Sequence, residues 1–245
     1  MKNILMPITT ESLKEVFVSR FEEFILSGEL SIGQKLPSER ELALKLGVSR
    51  PVVHEGLVDL AAKGLVTIKP RVGTIINDYR KQGSLAILSS LINYHDGAIE
   101  PKLLDSMLEM RLLFEVEAAR LAALRRTDGH MEAFHTILGK EKKAGNMGLE
   151  KIVGLDFEFH HLISMASGNI VYPLLINSFR HVYTNLSRQF FSNKKNIPEV
   201  CRFHGEMVGA IEKKDGTLSA KIMKSMLDHG ERHLKEIVIK GRRSQ

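Results

Sequence analysis

Asp156 and His160 are four residues apart, so on a helix they project from one face. Their neighbours Leu155, Phe157, Phe159 and Leu162 are apolar, which puts the pair at or near a core. His204 lies in a second apolar-patterned run, "CRFHGEMVGAI". One carboxylate with imidazoles suits a divalent ion of the Zn, Ni or Mn type. Histidines satisfied separately are the bland alternative. A metal enzyme would need a general base beside the ion. Glu158 is two residues from both Asp156 and His160 and falls on another helix face, so a metal-dependent hydrolase or oxygenase is the remote reading. Arg111, in "EMRLLFE", sits on a face otherwise rich in Leu and Met and needs a partner. That partner is Glu115, one turn on, or a bound acid.

A second group of residues could meet a polyanion. Ser49 is the expected N-cap of a helix that begins with Arg50 and Pro51; proline is tolerated there because the first amides have no intrahelical partner. A guanidinium at that tip can pair with guanine or a phosphate, and the Ser49 hydroxyl and free amides can bind phosphate. Arg40 lies early in the preceding helix. Lys69 and Arg71 flank a hairpin tip beside Gly73.

The elements that carry these groups are readable. Leu13, Val16, Phe17, Phe21, Phe24 and Ile25 mark one helix face between residues 10 and 28. Ser38 precedes Glu41 by three, a capping box that starts a second helix, and Gly47 closes it. Val53, Leu57, Leu60 and Ala61 give the third helix its buried face, and Gly64 ends it. "LVTI" and "GTIIN" then read as a β-hairpin around "KPRV". Residues 78–84, "DYRKQGS", read as a linker. Beyond them the pattern is helical almost to the end: an all-α antiparallel bundle of six or seven helices, with a basic tail at 239–245. The fold class is therefore mostly α: residues 1–77 form one domain and 85–238 a second.

Bulk composition fits. Thirty-five basic and 29 acidic residues leave a formal charge of +6, a sign that suits nucleic acid. The single Cys201 excludes a disulfide framework within the chain and reads as a small buried hydrophobe in a reducing cytoplasm. No basic start with a long apolar run predicts a secretory leader, and no apolar run approaches a membrane span.

Residues 10–77 resemble the winged helix-turn-helix of the GntR transcription regulators, through "LSIGQKLPSERELALKLGVSRPVV" and "LAAKGLVTIKPRVGTII". Residues 85–238 resemble the ligand-binding domain of the FadR-like branch, called FCD, through "LLDSMLEMRLLFEVEAARLAA" and "DFEFHHLISMASGNIVYPLL". The resemblance implies a homodimer on a palindromic DNA operator, with Ser38, Arg40, Ser49, Arg50, Pro51, His54, Lys69, Arg71 and Gly73 at the DNA. Two departures stand out: His54 occupies a position where most members carry Arg, and "KPRVG" has one Gly where two are usual. It implies a metal held by one Asp and three His, here Asp156, His160, His204 and, in the last helix, His229. An ungapped match puts Met226 at that last position, and a three-residue insertion would bring His229 into register. The implied effector is a small carboxylate beside the metal, met by Arg111, with Asn177 expected to line the pocket. "ASGNIVYPLL" and "VYTNLSRQFF" also resemble the acyl-CoA-binding member, so a metal-free fatty-acyl-CoA pocket is the alternative. The implied function is a ligand-responsive regulator, a repressor released by its effector.

Overall fold

A computed structural model describes residues 11–94, 100–143 and 146–243. The start of the first helix expected at Thr10 and the last two residues of the basic tail lie outside them. The described residues form twelve helices and a two-stranded sheet, in two compact units, residues 1–96 and 97–245. None of the described helices is long and apolar enough to cross a membrane.

The first unit opens with α1 (Leu13–Leu26), capped by Ser12 and Glu15 in a reciprocal box. Next come α2 (Glu39–Leu46) and α3 (Arg50–Ala62). The Ser38–Glu41 capping box forms, and Gly47 closes α2 in the left-handed conformation. Val53, Leu57 and Leu60 of α3 are fully buried against Phe17, Phe21 and Ile25 of α1. Strands β1 (Val66–Lys69) and β2 (Gly73–Ile76) pair antiparallel, Val66 with Ile76 and Lys69 with Gly73. The sequence gives no sign of a third edge, yet Lys35 bridges Ile75, and Leu36 donates its amide to the Thr74 carbonyl.

Residues 78–84, expected as a linker, fold back on the head. They contain α4 (Tyr79–Gln82), and Ser84 donates its amide to Lys63 and its hydroxyl to Ala62. Then α5 (Ile87–Tyr94) buries Ile87 in the head's core, and Lys63 bonds both Glu22 and Ser90.

The second unit is a bundle of seven described helices: α6 (Pro101–Arg125), α7 (Asp128–Glu141), α8 (Leu149–Ala166), α9 (Tyr172–Ser178), α10 (Arg180–Ser192), α11 (Asn196–Glu212) and α12 (Gly216–Arg243). Buried Ala118, Ala119, Ala122 and Ala123 keep α6 slim where it packs on α8 and α12. Phe134, Phe159, Met207 and Ile211 fill the centre. The helices α9 and α10 are separated by a break at Phe179, whose ψ of 2° leaves the helical range.

Candidate metal centre and nucleic-acid interface

Asp156 and His160 of α8 and His204 of α11 meet in the bundle core. One ligand atom from each lies within 4.8 Å of the others, and all three residues are buried. Asp156 Oδ1 stands 3.8 Å from His204 Nε2. Its Oδ2 accepts from the Tyr183 hydroxyl and the Ser187 hydroxyl, both at 2.9 Å. Those two residues are four apart on α10, so the break at Phe179 sets one face of that helix over the carboxylate. Burial and the adjacent Asp156 push the Tyr183 hydroxyl well above its ordinary pKa, so it remains a donor.

Each imidazole is held from behind. His204 Nδ1 is 2.7 Å from Glu141 Oε1, and His160 Nδ1 bonds Glu115 Oε2. A carboxylate only accepts, so each Nδ1 carries the proton and Nε2 is the atom left for a metal. Among the described residues His204 Nε2 is buried with no hydrogen-bond partner. An orphaned imidazole nitrogen facing a carboxylate is what a cation would satisfy, so the residues present fit a divalent ion.

Glu115 also takes Arg111 Nε on its other oxygen, at 2.5 Å. Burial alone would raise the Glu115 carboxyl, but Arg111 and His160 outweigh it and hold it down at about 2. The Arg111 guanidinium lies 4.5 Å from the Tyr183 ring centroid. Both readings of Arg111 therefore keep support: Glu115 is its partner, and it lines a cavity of about 50 Å³ with Asp156, His160, Tyr183 and Ser187. Leu108, Leu186, Phe190 and Val200 supply apolar walls.

Two expected residues are not brought to this cluster. Among the described residues His229 belongs to no three-ligand group; its ring packs on Phe190, Phe203 and His233, although its Nε2, like that of His204, is buried without a partner among them. Met226 and Gly230, four apart on α12, line the cavity instead. His229 is turned about 60° from Met226 on that helix, at 100° per residue. Asn177 is exposed and bonds His161 Nε2 at 3.1 Å. Sequence reasoning missed Glu141, Tyr183 and Ser187: α7 was not singled out, and no local spacing links Glu141 to a histidine 63 residues away. Cys201 is half-buried and not fully buried as expected; burial, with Glu141 and Asp156 nearby, still pushes its thiol up to about 11, which disfavours a nucleophile.

On the first unit, Ser38 is committed to the α2 cap, bonding Glu41. Ser49 caps α3 without a side-chain bond, which leaves its hydroxyl and the first-turn amides free among the described residues. Arg40, Arg50, Pro51 and His54 are all exposed, and Arg50 and His54 share a face at i and i+4. Neither Arg40 nor Arg50 makes an ion pair among the described residues, so both charges are available. His54 Nδ1 lies 2.8 Å from Glu39 Oε1. At the hairpin, Val72 donates to the Lys69 carbonyl at 3.1 Å, with Pro70 second in the turn and Arg71 third at φ 62°. A positive φ there marks a type II turn, which favours Gly. Arg71 keeps a cation at the tip in a conformation that disfavours L side chains. Gly73 follows at φ 116° beneath the Lys35 side chain.

Residues 14–76 match the family model for bacterial regulatory proteins of the gntR family, and residues 77–236 match that of the FadR C-terminal domain. The chain is 36% identical over 183 residues to the HTH-type transcriptional regulator Mce2R of Mycobacterium tuberculosis, covering 73% of each. It is 32% identical over 185 residues to the fatty acid metabolism regulator protein of Yersinia pestis, covering 76% of this chain and 75% of that one. Among solved structures, Lar of Listeria monocytogenes matches with a TM-score of 0.65 at 17% identity, over 94% of this chain and 99% of that one. That likeness speaks to the fold.

Proposed function

Because this chain belongs to the gntR family of bacterial regulatory proteins and carries a FadR C-terminal domain, it is a DNA-binding transcription regulator and not an enzyme, and we propose that it acts as a cytoplasmic homodimer, a repressor that releases its operator when a small organic acid binds beside a divalent metal. In this reading residues 1–77 are the DNA-binding head. Residues 78–84 lead to an effector domain that ends at 238, with 239–245 as a basic tail. A helix-turn-helix dimer reads two half-sites about one helical turn apart, hence a short palindrome. Arg40 and Arg50 meet guanine or phosphate, Ser49 and the amides beside Pro51 meet phosphate, and Lys69 and Arg71 lie along the minor groove.

The observation that carries the metal reading is the orphaned His204 Nε2, aimed at Asp156 while Glu141 fixes the ring from behind. Asp156, His160 and His204 would hold the ion, which would supply a Lewis-acid anchor for an acid. Arg111 spends Nε on Glu115 and borders the cavity, so its remaining donors can receive a carboxylate. Relatives named fatty acid metabolism regulators favour an acyl-CoA effector as the second reading. A cavity of about 50 Å³ holds only a few water-sized groups, which favours a short acid. An acyl chain would require the helices to part.

Elemental analysis of the purified protein should find roughly one divalent ion per chain. The double variant His160→Ala/His204→Ala should lose it. Short carboxylates should then raise the melting temperature by mass action. Metal-free protein that is stabilised only by long acyl-CoA would sink the metal-and-acid reading. In gel shifts, Arg50→Ala should weaken operator binding about 5- to 150-fold, the range for one bidentate base contact. An unchanged affinity would remove Arg50 from the interface.

A further inference from the structure

We propose that His54 reads a base and that Glu39 positions it, so that each half-site carries a hydrogen-bond donor, adenine N6 or cytosine N4, where an arginine at this position would select guanine. The inference rests on the reading of α3 as the groove helix. His54 projects from the same exposed face as Arg50, one turn further along α3, and its side chain is 59% accessible. Its Nδ1 is tied at 2.8 Å to Glu39, the first residue of α2. That anchor is itself fixed, because the Ser38–Glu41 capping box pins the turn from which Glu39 projects.

The chemistry follows from the partner. A carboxylate has no hydrogen to give, so Nδ1 must donate. In a neutral ring the other nitrogen is then an acceptor, and Nε2 is the atom directed away from Glu39. Arginine has five donors and no acceptor, which is why it pairs with guanine O6 and N7. Only adenine N6 and cytosine N4 offer donors in the major groove. The tie to Glu39 therefore inverts the polarity of the contact at this position.

Selection of binding sites from a random DNA pool, read by sequencing, tests this with the full-length protein. Wild type should favour adenine or cytosine at one position in each half-site by about tenfold, within the range for a base contact. His54→Arg should move that position to guanine. Glu39→Ala should keep the overall operator and its melting temperature while the preference falls several-fold, because the ring is no longer held. Glu39→Gln keeps a carbonyl acceptor for Nδ1 and should retain the preference. Guanine at that position in wild type, or no change in base preference in His54→Arg or Glu39→Ala, overturns the proposal. Failure of wild type to select any sequence overturns both it and the groove-helix reading.

Discussion

Replacing Glu115 with Ala should lower the unfolding free energy by about 3–5 kcal/mol, the usual cost of breaking a buried ion pair from one side. Glu115 is 3% exposed and serves Arg111 and His160 at once. Removing it leaves the Arg111 guanidinium, whose side chain is 13% accessible, without its counter-charge. Denaturant unfolding of the full chain measures the loss; a change below about 1 kcal/mol would mean that water reaches Arg111 freely. The same carboxylate gives a pH signature. Its folded pKa, about 2, lies below the ordinary 4.5, so its contribution is complete above 4.5 and is lost as pH falls towards 2. That gap corresponds to roughly 3 kcal/mol. Glu115→Gln, nearly isosteric, should lack this acid limb and lose metal about 10- to 100-fold, as expected when the group orienting a ligand histidine goes. Replacing Arg111 by Met and Glu115 by Leu together should restore most of the stability and none of the metal affinity. If stability returns and metal affinity does not, the network serves to orient His160 and not to stabilise the bundle.

The Asp156–His160–His204 cluster was legible where chemistry and local period coincide. Asp156 and His160 are ionisable residues one turn apart in an apolar run, and His204 sits in another, so their burial followed from pattern alone. Glu115 was legible as the i+4 partner of Arg111, but its second bond to His160 crosses 45 residues and has no local trace. Glu141 and Tyr183 are silent for the same reason: their roles depend on how α7 and α10 pack on α8, which side-chain volumes decide. On α12 the ungapped register puts Met226 at the expected ligand position, and Met226 does line the cavity with Gly230, whereas His229, reached only through an insertion, is turned about 60° from it. In the head, the apolar face of α1 and the capping box and C-cap glycine of α2 announce those helices, whereas the Lys35 edge is one bridge long and leaves no alternation to read.

Gly64→Ala should destabilise the head by about 2–5 kcal/mol, far more than a C-cap glycine ordinarily costs. Gly64 has φ 77°, where an L residue incurs roughly 1–2 kcal/mol. A Cβ there would also lie 2.1 Å from the Gln82 carbonyl oxygen and 2.7 Å from Gly83 Cα. Both obstacles are backbone and cannot rotate away, so overpacking adds roughly 1–3 kcal/mol or residues 78–84 lift off. Gly47→Ala is the control. Gly47 also has a positive φ, 66°, but nothing lies within 4 Å of its Cβ position, so only the conformational cost of roughly 1–2 kcal/mol applies. Equal losses in denaturant unfolding would mean that residues 78–84 do not press on Gly64 and behave as a free linker. A larger loss at Gly64 ties them to the head through the Ser84–Lys63 and Ser84–Ala62 hydrogen bonds. Operator affinity then discriminates further. Gly64 immediately precedes Leu65 and Val66, which start the hairpin, so lifting 78–84 should tilt Lys69 and Arg71 and weaken DNA binding. Gly47→Ala acts at the turn before Arg50 and leaves the hairpin in place. The segment that reads as a tether in composition packs on the C-terminal end of α3.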